Sequence, residues 1–115
     1  MQNMNTKPED NTAVENNSEI NKLDLESKKE DITLELNFIE ETLKALENNE
    51  EGYEYADTGD SMMTIDSMFG ANPLYLETLV MRKEASKKIA QGSKEEKKEG
   101  LNQAMEWVEK VKRLL

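Results

Sequence analysis

Apolar side chains recur at Ile32, Leu36, Ile39, Leu43 and Leu46, a 4-3-4-3 spacing that lines one face of a helix. Leu34, Phe38 and Ala45 fall on a second side of the same helix, which is therefore expected to have neighbours on two sides. The tetrad Ser27-Lys28-Lys29-Glu30 has the form of a capping box and would open it. Asn48, Asn49 and Gly52 would close it. Ile32, Leu34, Leu36 and Phe38 also alternate with period two, as a strand would over residues 31–38. The helix is preferred because the longer rhythm continues through Leu46 and no strong partner strand occurs elsewhere.

Residues 50–60 are acidic and interrupted by Gly52 and Gly59, and read as a loop. Met62, Ile65, Met68 and Phe69 then recur at helical spacing between a cap at Asp60 or Ser61 and a stop at Gly70, which predicts a short Met-rich helix. Asn72-Pro73 opens the next helix: Asn caps, and Pro occupies the first helical position, where a missing N–H costs nothing. Leu74, Leu76, Leu79, Val80 and Met81 surround its first turns and predict burial there; Arg82 to Lys88 predict a solvated second half. After Gly92, Ser93-Lys94-Glu95-Glu96 is another capping box. It opens a last helix with an amphipathic face of Leu101, Ala104, Met105, Val108, Val111 and Leu115, widened by Trp107 and Leu114. Gly100 is expected to weaken this helix by about 1 kcal/mol relative to Ala.

Residues 1–26 hold no aromatic side chain and only scattered apolar ones. Ordering such a segment costs about 1–2 kcal/mol per residue, more than its burial can offset. The expected fold is all-α: a small bundle of three helices plus one short Met-rich helix, with a long N-terminal tail. Residues 1–26 form a flexible or extended arm and residues 27–115 the helical domain. Leu36, Ile39, Leu43, Leu79, Leu101, Met105 and Val108 are expected to form its core.

Composition narrows the function classes. The 115 residues include no Cys and no His, which excludes a disulfide scaffold, a Cys/His zinc site and any mechanism that uses a cysteine nucleophile or a histidine base. A net charge of −10 argues against direct nucleic-acid binding. No apolar run approaches the ~20 residues of a membrane helix, and no signal peptide is visible. The cytoplasm, or the interior of an assembled particle, is the expected location. The charge is also polarised: the first 70 residues carry −13 and the last 45 carry +3. The basic final hairpin is therefore expected to pack near the acidic helix, or the molecule offers its acidic side to a basic partner.

Acidic clusters give no sharper chemistry. Asp57-Thr58-Gly59 matches the triplet of aspartic proteases but lacks the flanking apolar strands and a second copy to share one proton. Counting from Asp57, the sixth and twelfth positions of an EF-hand loop are Met62 and Met68 instead of Gly and Glu. Glu40 and Glu41, adjacent on a helix, point to different sides of it, and Glu50-Glu51 open the acidic loop; both pairs read as solvated surface. No catalytic residue, metal ligand or cofactor site is assigned.

The reading that remains is a non-enzymatic interaction or assembly subunit of a larger complex, such as a component of a viral particle, an adaptor or a chaperone. Its partner is a protein, either within a larger complex or a further copy of the chain, with no membrane involved. The expected partner-binding residues are Met62, Met63, Ile65, Met68 and Phe69, because Met-rich faces suit helix-in-groove docking. Leu34 and Phe38, on the outer side of the first long helix, complete the set. The alternative is an acidic inhibitor that mimics nucleic acid and occupies the basic cleft of a nucleic-acid enzyme.

Overall fold

A computed structural model describes the backbone from Glu9 and the side chains from Glu26 to Leu115. Among the described residues, four α-helices occur in the order α1 (Glu9–Glu47), α2 (Gly59–Phe69), α3 (Pro73–Gln91) and α4 (Lys94–Leu114), with one 3-10 turn at Tyr55–Thr58 before α2. No strand is present among the described residues. Residues 31–38 are helical. Positions two apart on a helix lie roughly opposite each other, so a helix with apolar residues on two sides mimics the alternation of a strand there. The N-terminal arm expected over residues 1–26 falls almost wholly outside the described side chains.

The start of α1 differs from expectation. The Ser27-Lys28-Lys29-Glu30 tetrad lies inside the helix, not at its entrance. A capping box acts only where the chain enters from a non-helical conformation. Neither Pro nor Gly occurs between Glu9 and Ser27 to force such an entry. The end of α1 follows expectation: Asn49 and Gly52 adopt positive φ of 57° and 90°, which turn the chain out of the helix.

The caps of α3 and α4 are as predicted. Asn72 Oδ1 accepts from the N–H groups of Leu74 and Tyr75 at 2.9 and 3.2 Å. Ser93 Oγ accepts from the Glu96 N–H at 3.3 Å, and the Ser93 N–H donates to Glu96 Oε1 at 3.0 Å. The entrance to α2 is different: Thr58 holds the cap position, and its buried hydroxyl donates to the Tyr55 carbonyl at 2.7 Å. Part of the acidic loop is thus folded against α1 and α2.

The core is one cluster. Ile32, Leu36, Ile39 and Leu43 of α1 meet Met62, Ile65 and Phe69 of α2, and Trp107, Val108 and Val111 of α4. Of the expected core, Leu36, Ile39, Leu43 and Val108 are buried. Leu79, Leu101 and Met105 are partly buried against that cluster. On α3 the expected burial of the first turns holds in part for Leu79 and Met81, which pack against the cluster, and fails for the rest. Leu74, Leu76 and Val80 are exposed, and the buried side chains are Tyr75, Thr78 and Ala85. The reason is that α3 packs chiefly on α4. A helix covered on one side buries only a stripe of its surface.

Ion pairs join the two oppositely charged parts of the chain. Lys112 on α4 pairs with Glu40 on α1, and Arg82 on α3 pairs with Asp66 on α2. The Lys112 and Lys44 ammonium groups hold the Glu40 carboxyl below its ordinary pKa.

Gly100 is buried against α3, and its role is packing. A Cβ added there would lie 2.9 Å from the Ala85 carbonyl oxygen and 2.9 Å from Ile89 Cγ1. The Ala85 oxygen is backbone and cannot swing aside. Gly100→Ala is therefore expected to lose about 1–3 kcal/mol by overpacking, against the gain of about 1 kcal/mol that helix propensity alone predicts. Urea denaturation followed by ellipticity gives the sign.

Candidate partner-binding face

The Met-rich helix does not present its apolar side outward. Met62, Ile65 and Phe69 are buried in the core cluster beside α1, and Met68 packs partly against the same cluster. Only Met63, 69% exposed, projects from the opposite side of α2. Four of the five residues that the short helix was expected to offer a partner thus pack in or against the protein's own core. The physical reason is size: an 11-residue helix over α1 can shield the core only by turning its apolar stripe inward.

Leu34 and Phe38 are placed as the sequence indicated. They sit one turn apart on the outer face of α1, 63% and 47% exposed, opposite the buried Ile32, Leu36 and Ile39. Exposed carboxylates flank them: Glu30 and Asp31 on the N-terminal side, Glu41 on the C-terminal side. The face is an apolar pair between acidic ends.

A second exposed apolar pair was missed. Leu76 and Val80, 45% and 66% exposed, lie one turn apart on the outer side of α3, followed along the same stripe by Lys83 and Lys87. Sequence reasoning assigned these residues to the core because α3 is apolar on nearly all sides in its first turns. The mixed stripe of two apolar and two basic residues was the available signal for an outward face.

The densest polar constellation lies at the edge of the core, between α2, α3 and α4. Arg82 donates to both oxygens of Asp66, at 2.8 and 3.0 Å. The Tyr75 hydroxyl donates to the same carboxylate. The guanidinium carbon of Arg82 lies 5.1 Å from the ring centre of Trp107. Tyr75 stacks on Phe69 with centroids 4.3 Å apart and meets the Trp107 ring edge-on at 6.5 Å. Trp107 Nε1 donates to Thr78 Oγ1 at 3.0 Å, and that hydroxyl donates in turn to the Tyr75 carbonyl at 2.7 Å.

Burial opposes ionisation of Asp66, but the hydrogen bonds from Arg82 and Tyr75 outweigh it and hold its carboxyl below the usual range. Burial, then the adjacent Asp66 carboxylate, pushes the Tyr75 hydroxyl well above its ordinary value. Each polar group here has a partner inside the protein, and the carboxylate is held in an Arg pair. The arrangement locks three helices together.

Among the described residues, no group of three or more acidic side chains is placed to hold a metal ion. None of the described helices is long and apolar enough to cross a membrane. No protein-family model, curated protein or solved structure matches the chain.

Proposed function

We propose that the protein is a non-enzymatic interaction or assembly subunit that engages a protein partner through the outer face of α1. The observation that supports this is the Leu34–Phe38 pair. Single exposed apolar residues are ordinary. A Leu and a Phe one turn apart on a long helix, with acidic residues at both ends, form the kind of anchor that a groove on another protein accepts.

The double variant Leu34→Asp, Phe38→Asp tests this reading. Both side chains lie on the surface, so the expected effect on folding is within about 0.5 kcal/mol per site. Ellipticity and the melting midpoint should stay close to wild type, while the native partner is lost in co-purification. A folded variant that keeps the same partner overturns the assignment of this face.

One observation favours the alternative, an acidic inhibitor of a nucleic-acid enzyme. Glu47, Glu50, Glu51, Glu54, Asp57 and Asp60 are all exposed and form no ion pair among the described residues. A complex held by these carboxylates would weaken steeply as salt rises. One anchored by Leu34 and Phe38 would change far less.

A further inference from the structure

An open groove of about 740 Å³ runs between the end of α1, the 3-10 turn, the end of α3 and the start of α4. Its floor is apolar, made by Leu46, Tyr55, Ile89 and Leu101, each only partly buried by the chain itself. One wall carries Lys94, Lys97 and Lys98, which share one face of the first turns of α4; Glu47, at the end of α1, and Glu54, just before the 3-10 turn, also line the groove, leaving it one positive charge in excess. All three lysines are exposed, and none forms an ion pair among the described residues. Elsewhere on the same hairpin Lys88 pairs with Glu99, Lys112 with Glu40 and Arg82 with Asp66, whereas Lys83, Lys87, Lys110 and Arg113 form no ion pair among the described residues.

We propose that this groove receives the Leu34–Phe38 face of a second copy of the chain. The proposal rests on the assembly reading above and names its partner. The match is one of shape and charge. The face offers an apolar pair on a helix whose backbone hydrogen bonds are already satisfied, so it can enter an apolar trench without stranding polar groups. Its ends carry Glu30, Asp31 and Glu41, which would face the lysines of the groove wall. The other exposed pair does not fit: Leu76 and Val80 are followed by Lys83 and Lys87, which the same wall would repel. Two different surfaces meet, so the contact is head-to-tail unless two copies fill each other's grooves. The net charge of −10 opposes any association of copies, so pairing depends on this local match.

The test is sedimentation of the full chain over a wide concentration range. Wild type should gain mass with concentration. Lys94→Glu, Lys97→Glu, Lys98→Glu should weaken association at least about tenfold, and so should Glu30→Lys, Asp31→Lys, Glu41→Lys. Acidic residues suit the start of a helix, so the first variant should keep its fold; ellipticity and Trp107 emission check both. Mixing the two variants should restore association, because the reversed face of one meets the reversed groove of the other. Leu76→Asp, Val80→Asp should associate as wild type does.

The proposal is overturned if wild type stays monomeric throughout, if the lysine variant associates unchanged, if mixing restores nothing, or if the α3 variant alone abolishes association. A monomeric wild type that still loses a co-purified partner through Leu34→Asp, Phe38→Asp would sink self-pairing and keep the assembly reading.

Discussion

Replacing Trp107 with alanine is expected to remove about 3–5 kcal/mol of stability, the usual cost of emptying a large buried aromatic site. Trp107 is fully buried. It joins α4 to α3 by its hydrogen bond to Thr78 and its edge contact with Tyr75, and it carries Arg82 over its face. Small domains have about 5–15 kcal/mol in total, so the variant would sit near or below its folding threshold. The measurement is urea denaturation by ellipticity, because Trp107 is the chain's single tryptophan and its emission disappears with it.

A companion variant separates packing from hydrogen bonding. Trp107→Phe keeps a ring but loses the Nε1 donor. The Thr78 hydroxyl still donates to the Tyr75 carbonyl, so no buried group is orphaned. That variant should lose clearly less than the alanine one. Near-equal losses would mean that the hydrogen bond, not the packing, carries the site.

The second large effect is expected at Asp66. Asp66→Ala leaves the half-buried Arg82 guanidinium without its counterion and the Tyr75 hydroxyl without its acceptor. About a third of the Asp66 side chain is exposed, so water softens the loss. The expected cost is about 2–3 kcal/mol, below that of a fully buried broken pair. Arg82→Lys should also destabilise, because an ammonium cannot reproduce two parallel bonds to one carboxylate.

The same residue predicts an acid dependence. The folded pKa of Asp66 lies below its ordinary value of 3.8. The native state therefore binds this proton less readily than the unfolded chain does. Its contribution to stability is fully present above the ordinary value and is lost as pH falls through the folded pKa. Glu40, lowered by Lys112 and Lys44, adds a contribution of the same sign. Stability of wild type should fall in this acid window, and Asp66→Asn should flatten the fall. An unchanged acid slope in that variant would show that the carboxylate is not the group that matters.

The all-α class, the four described helices and two of their caps follow from local chemistry that the sequence displays directly. Asn72-Pro73 and Ser93 to Glu96 satisfy the first N–H groups of α3 and α4 using residues within a few positions. Such motifs are legible because both partners lie in one short stretch of chain. The outward placement of Leu34 and Phe38 was legible for the same kind of reason: once Ile32, Leu36 and Ile39 face inward, helical geometry puts the other two opposite.

Tertiary structure alone decided the rest. Whether the apolar stripe of α2 faces a partner or the protein's own core depends on how α2 lies over α1, and the sequence of α2 reads the same in both cases. Tyr75 and Thr78 displaced Leu76 and Val80 from the interior because α4 covers α3 on one side only, and Trp107 supplies the partner for that side. Gly100 changed from a helix weakener to a packing requirement once the Ala85 carbonyl of the neighbouring helix came within 2.9 Å of where a Cβ would stand. The groove, too, is made by two stretches of chain that are distant in sequence, residues 46–56 and 89–101. Periodicity determines which sides of a helix can be buried; only the positions of the neighbouring helices determine which of those sides is.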